Sequence, residues 1–234
     1  MHDPLTQVLS RSLQEHITLH RTRHETLSCL VVLILRFGTV SLWRLASHAH
    51  SSAKTLSVHR RFERFFQYIV LDQAAIARLI VHMMGLSDRP WRLVLDRTNW
   101  KFGSVHINIL MLGVVHEGLC IPLLWSSLGK AGNSDAQDRI ALVKRVAQIF
   151  PGQDIECIIG DREFIGAEWM GWLYKRNIPF IMRVRDNIHA WYRDQNAEKL
   201  CAKARTLKRR QKIILKGLWH LGPGSVPVRI VIRR

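Results

Sequence analysis

Acidic residues are scarce in this chain: 18 Asp and Glu stand against 35 Lys and Arg among 234 residues, a formal charge of +17 at pH 7. Its four cysteines (Cys29, Cys120, Cys157, Cys201) are scattered without a CxxC pair. That spacing argues against a disulfide framework or a zinc knuckle and fits a reducing compartment. Long hydrophobic runs are missing too. The longest, residues 29–35, falls far below the ~20 residues that span a bilayer, and no charged-then-apolar leader opens the chain. Gly129-Lys130 is followed by Ala131 and lacks the earlier glycine of a phosphate-binding loop. The His-Glu pairs at 24–25 and 116–117 run on to Ser28 and Cys120, where a zinc protease would place a second histidine.

What remains is an ordinary globular composition, 47% apolar and 23% charged, long enough for one large domain or two small ones. The positive excess is uneven: net +5 over residues 1–90, +1 over 91–180 and +11 over 181–234. A nearly neutral middle flanked by basic segments fits a chemical core with nucleic-acid-gripping flanks; a generic basic surface is the alternative.

Residues 7–85 carry a helical pattern. His16, His20 and His24 recur every fourth residue, which predicts one helix face, either a polar or DNA-facing stripe or a metal site. Residues 27–37 predict a buried helix closed by Gly38, and Val40, Trp43, Leu45 and Ala46 a short one. After a turn at Ser51-Ser52, a helix from Lys54 places Val58, Phe62, Phe65, Phe66 and Ile69 on an apolar stripe, with Arg60, Arg61 and Arg64 elsewhere. Two short helices around a turn, the second basic, match a helix-turn-helix reader of DNA; a helical bundle with an arginine face is the other reading.

Ser87-Asp88-Arg89-Pro90 marks a boundary. Residues 91–95 then predict a strand ending at Asp96, 105–115 a second, and 119–125 a third in hairpin with it. Ser134 with Gln137 reads as a capping box for a helix that Pro151-Gly152 ends. Residues 155–159 predict a fourth strand terminating at Gly160-Asp161, 166–176 a helix, and 178–184 a fifth strand. Three strands, helix, strand, helix, strand is the ribonuclease H-like order of a mixed α/β sheet.

Asp96 and Asp161 thus leave matched strand ends, where ligands gather in open α/β sheets. If the strands are neighbours, the carboxylates converge. Their repulsion is relieved by Mg²⁺ ions ~3.5–4 Å apart that hold a scissile phosphate. A purely structural role, capping the strands or pairing with Arg97 and Arg162, is the alternative.

Leu93-Val94-Leu95-Asp96-Arg97-Thr98-Asn99-Trp100, Gly132-Asn133-Ser134 and Ile159-Gly160-Asp161-Arg162-Glu163-Phe164 together resemble the DDE transposases of bacterial insertion sequences, and most of all the cut-and-paste group numbered family four. The resemblance is good over residues 88–190 and loose at the flanks. It implies a ribonuclease H-like fold, catalytic and metal-binding roles for Asp96 and Asp161, and Mg²⁺ (or Mn²⁺) as cofactor. It also implies phosphodiester cleavage and strand transfer at transposon ends. An N-terminal helical domain binding double-stranded terminal inverted repeats, a homodimer when synapsed on DNA, and a β-rich insertion after the second aspartate follow from it as well. A cytoplasmic, nucleoid-associated protein is expected, with no membrane partner.

One departure matters. The family's catalytic glutamate arrives within Tyr-x2-Arg-x3-Glu-x6-Lys, and none of Tyr68, Tyr174 and Tyr192 is followed three residues on by arginine. Glu198, 37 positions after Asp161, is a candidate substitute inside a basic helical stretch, 198–210. The final residues, 226–234, alternate like a strand with no visible partner, which reads as a chain stopping inside the insertion.

The resulting organisation is a helical DNA-binding domain (1–88), the N-terminal part of a catalytic core (89–184) and the beginning of a basic insertion (185–234). Arg60, Arg61, Arg64, Lys208, Arg209 and Arg210 are the DNA-contacting candidates. Arg193, Lys199, Lys203, Arg205 and Lys212 are further candidate phosphate contacts. Tryptophans in the insertion of related enzymes can stack on a flipped base; for Trp191 and Trp219 packing in a core is the favoured expectation. A transposase of impaired catalysis is the first functional reading. A non-catalytic DNA-binding inhibitor of intact transposase is the second, and a nonspecific basic nucleic-acid binder a third.

Overall fold

The chain forms two compact units, Met1–Met84 and Gly85–Arg234. The computed structural model describes residues 4–185, 187–192, 197–222 and 224–234.

The first unit is helical: α1 (Pro4–His16), α2 (Arg21–Phe37), α3 (Leu42–His48), α4 (Thr55–Tyr68) and α5 (Gln73–Met83). Gly38 ends α2 in the left-handed conformation (φ 58°), its N–H returning to the Ile34 carbonyl at 2.9 Å, a stop that glycine adopts without a Cβ clash. Ser41 caps α3, and α3 leaves α2 at 94°. Leu30, Leu33, Leu45, Val58, Phe62 and Phe65 bury together where α2, α3 and α4 meet. Among the described residues no single helix is long and apolar enough to cross a membrane. Only the bent pair α2 and α3 reaches that length and composition.

Two expectations fail in this unit. The three histidines do not share a helix: His16 closes α1, His20 caps α2 through its ring nitrogen, and His24 is buried inside α2. Residues 17–20 interrupt the period. Phe66 leaves the predicted stripe and is 59% exposed, edge-on to the buried Phe65, because adjacent helical residues diverge by about 100°.

In the second unit, β1 (Trp91–Phe102), β2 (Val105–His116) and β3 (Leu119–Ser127) form an antiparallel meander. Gly103 (φ 60°) opens the first two-residue turn, and Glu117 and Gly118, both with positive φ, make the second, as tight hairpins demand. Helix α6 (Ala136–Ile149), β4 (Ile155–Gly160), α7 (Ala167–Lys175) and β5 (Phe180–Met182) follow. The sheet order is β3-β2-β1-β4-β5, with β4 parallel to both β1 and β5. This mixed sheet after N-terminal helices is consistent with a ribonuclease H-like domain.

Leu93, Leu95, Leu110, Leu112 and Leu124 are buried, and α6 packs on β2, β3 and α7. Side chains alternate faces along a strand, so the opposite face carries Val94, Asp96, Met111, Trp125, Ile159 and Ile181. These residues are paired across the strands and none is buried.

The structure corrects three readings here. Strand β1 does not end at Asp96 but runs six residues further, the last four as a two-stranded ribbon with β2 beyond the end of β3. The capping box of α6 is Asp135 with Asp138, not Ser134 with Gln137; Ser134 is buried and accepts from Arg139 instead. The terminal strand has a partner: β9 (Val231–Arg233) pairs antiparallel with β8 (Lys212–Ile214), where an unpaired strand was expected.

Between β5 and β8 lie β6 (His189–Ala190), β7 (Glu198–Lys199) and α8 (Leu200–Arg205). The helical stretch expected over 198–210 is thus only six residues long. Ala190, Leu200, Trp219 and Ile230 form a small core of their own, tied by bridges between Trp191 and His220 and between Trp219 and Val228.

Candidate active site

The geometry begins with strand register. In the parallel pair of β1 and β4 the last partners are Leu95 and Gly160, and the next residues are Asp96 and Asp161. Parallel strands run ~4.8 Å apart, so the two aspartates stand abreast on the half-exposed face of the sheet. Gly160 permits a tight approach there: a Cβ would lie 2.7 Å from the Met182 sulfur and 3.1 Å from Phe164 Cβ.

Both carboxylates are open to solvent. Asp96 Oδ1 accepts from the Arg97 backbone N–H at 2.8 Å, and Asp161 Oδ1 lies 3.9 Å from an Arg183 guanidinium nitrogen. Neither side chain pairs with the Arg97 or Arg162 side chain, the alternative that adjacency in sequence suggested. Two hard oxygen donors with free coordination sites fit Mg²⁺, which commonly takes one or two protein carboxylates and keeps several waters.

No cluster of three or more His, Cys, Asp or Glu side chains able to hold a metal forms among the described residues. Glu198 is engaged by Lys203 at 2.5 Å. Glu163, two residues past Asp161, is claimed by Arg97.

That arginine organises the surroundings. Arg97 points to the face opposite Asp96, where its Nε and Nη2 donate to Glu163 Oε2 at 3.0 and 2.7 Å. Its Nη1 donates to Asn108 Oδ1 and the Gly132 carbonyl, both at 3.2 Å, and Nη2 to Asn133 Oδ1 at 3.0 Å. Asn108, 2% exposed, donates in turn to the carbonyls of Lys130 and Gly132. Arg139 extends the network, donating to the Ser134 hydroxyl and carbonyl and to the Glu163 carbonyl. Burial pushes its guanidinium pKa down, while the carboxylates of Glu163, Asp135 and Asp138 oppose that shift. Three sequence segments far apart in the chain, 96–97, 132–134 and 161–163, are thereby tied together by two arginines.

Residues 90–221 match the transposase DDE domain family, more than half of the chain. The chain belongs to that family. No curated protein matches it. The matched span of this transposase holds both aspartates and the arginine network; the helical unit lies outside it.

The remaining predicted residues fall away from the aspartate pair in sequence and on other elements. Arg60, Arg61 and Arg64 are exposed on α4, and Arg61 and Arg64 share a surface hollow with Arg23 and Glu25. The connection from α3 to α4 spans six residues, 49–54, longer than the three or four of a compact helix-turn-helix. Lys208, Arg209 and Arg210 are exposed at the turn before β8, where Arg210 adopts φ 67°. Lys199, Arg205 and Lys212 are exposed as well. Lys203 is committed to Glu198 and sits over the Trp219 ring at 5.6 Å. Arg193 lies outside the described residues. Trp219 is buried in the small core and Trp191 partly buried.

Sequence reasoning missed Arg97, Asn108, Asn133 and Arg139 as a group. Arg97 and Asn133 stood inside the quoted motifs. Asn108, a single amide between isoleucines in an apolar strand, was the signal for a buried polar partner.

Proposed function

We propose that this transposase acts on DNA at the ends of a cut-and-paste element of the family-four type, with Asp96 and Asp161 as its metal-binding catalytic carboxylates. The observation carrying this reading is the Leu95–Gly160 register, which sets the aspartates of two family motifs on neighbouring strands. Asp96 and Asp161 would hold Mg²⁺, or Mn²⁺ in its place, from one side and leave the other open to a phosphodiester. The chemistry such a cation supplies is polarisation of the phosphoryl oxygens and activation of the attacking water or hydroxyl.

The helical unit, Met1–Met84, is the proposed reader of the terminal inverted repeats, with Arg60, Arg61 and Arg64 meeting the duplex. Lys208, Arg209 and Arg210 meet flanking phosphates, and two chains synapse the two ends, in the bacterial cytoplasm at the nucleoid. With two carboxylates and, among the described residues, no third beside them, the chain should nick DNA slowly. The direct test is Mg²⁺-dependent nicking of a terminal-repeat duplex by the full chain. Slow nicking abolished by Asp96→Asn supports the reading; nicking indifferent to Asp96 and Asp161 overturns it.

A second reading, a non-catalytic inhibitor that occupies transposon ends, is favoured by the same lack of a third carboxylate among the described residues. Co-expression with an intact transposase of the same element tests it: inhibition lowers transposition frequency, and an unchanged frequency rejects it.

A further inference from the structure

The ladder between β1 and β4 stops at Leu95 and Gly160, one residue short of each aspartate. Beyond that point the segments bearing Asp96 and Asp161 are joined on the opposite face by the ion pair of Arg97 and Glu163. Its side chains are only 10% and 20% exposed and its N···O distance is 2.7 Å. Arg97 adjoins Asp96, and Glu163 follows Asp161 by two residues in the short 3₁₀ turn Arg162–Phe164. Every charged nitrogen of Arg97 is occupied, across β1, β2, the 130–133 loop and that turn. Two carboxylates abreast repel one another, so their separation needs a tie that the ladder does not provide.

We propose that Arg97 and Glu163 are positioning residues that set the spacing of Asp96 and Asp161 for a divalent cation. Neither touches the cation; each acts through the backbone of the aspartate beside it. The inference rests on the metal-binding reading above and deepens it.

A guanidinium making five such bonds is not replaced by an ammonium. Arg97→Lys should therefore loosen the tie while keeping the charge, and Glu163→Gln should weaken it while keeping the shape. A buried ion pair is by itself weak evidence for stability, so the test must separate positioning from folding.

The experiment is Mn²⁺ binding to the full chain, followed by electron paramagnetic resonance or calorimetry, with Tm measured alongside. The wild type should bind Mn²⁺, and binding should be lost in Asp96→Asn and Asp161→Asn. In folded Arg97→Lys and Glu163→Gln the Mn²⁺ Kd should rise about tenfold, that is, by ~1.4 kcal/mol. Glu163→Gln should add nothing further in the Asp161→Asn background, where the aspartate it positions is gone. Should both variants unfold, Asn133→Ala, which removes one exposed contact to Arg97, should still raise Kd two- to threefold. A lowered Tm with unchanged Kd in the folded variants makes the pair merely structural and overturns the inference. Wild-type Mn²⁺ binding that ignores both aspartates overturns the metal-binding reading, and this inference with it.

Discussion

Leu95 and Gly160 face each other as the last parallel-paired residues of β1 and β4, and the residue after each is an aspartate. The relationship brings two motifs 65 positions apart in sequence to adjacent register positions, because side chains at equivalent register positions emerge on the same face of a sheet. It also divides labour between faces: Asp96 on the open side, Arg97 on the packed side.

That division predicts unequal consequences for neighbouring substitutions. Asp96→Asn removes an exposed carboxylate whose one side-chain hydrogen bond is to its own neighbour's N–H. Its Tm should change by no more than a few degrees while Mg²⁺-dependent nicking is lost. Asn108→Ala, by contrast, takes the partner from the Lys130 carbonyl and from an Arg97 donor in a partly buried network, which costs about 1–3 kcal/mol. Thermal unfolding of the two variants should separate them clearly.

The element order of the sheet was legible because its buried strands are apolar and its turns carry glycine. The ends were not. Residues 99–102, all exposed, continue β1 with β2 beyond the end of β3, so the hydrophobic alternation that marks a strand disappears. The pairing of β8 with β9 was hidden for a related reason: a three-residue strand among lysines carries no periodic signal. That Asp96 and Asp161 follow neighbouring positions of paired strands was readable from their spacing. The Arg97 network was not, since hydrogen bonds to loop carbonyls such as that of Gly132 depend on the folded path of the loop.

The arginines of α4 make a prediction in salt. Each phosphate neutralised contributes a slope of about −0.9 in log K against log salt concentration. Replacing Arg60, Arg61 and Arg64 together by alanine should reduce the slope for a terminal-repeat duplex by about 2–3 and narrow the preference over random duplex. Replacing Lys208, Arg209 and Arg210 should reduce the slope similarly and leave the preference intact. Binding titrations at several salt concentrations distinguish the two sets.

Asp135 makes a prediction in acid. Lys130 hydrogen-bonds its carboxylate at 2.6 Å, and with the Asp138 backbone N–H this lowers its pKa from 3.8 to about 2. A depressed carboxylate contributes stability above its unfolded pKa and loses it as pH falls through the folded value. The window here runs from about pH 4 to about pH 2. Asparagine caps a helix about as well as aspartate, so Asp135→Asn isolates the charge. At pH 7 the variant should be less stable by under ~1 kcal/mol, as befits an exposed pair. Below about pH 2 the wild-type and variant melting curves should coincide.

Gly160 supplies a final prediction with its own control. A methyl group there would press on the Met182 sulfur, which can swing aside, and on Phe164 Cβ and Cδ2 at 3.1 Å. Phe164 is fully buried and cannot move freely, so relief must come from the backbone that carries Asp161. Overpacking of this kind costs about 1–3 kcal/mol. Gly166, six residues on, has extended backbone (φ 171°) that any residue adopts, and nothing within 4 Å of its virtual Cβ. Gly160→Ala should lower Tm by several degrees and weaken Mn²⁺ binding, whereas Gly166→Ala should leave Mn²⁺ affinity unchanged and Tm equal or slightly higher. Equal Mn²⁺ affinity in the two variants would mean that the close approach at Gly160 does not control where Asp161 stands.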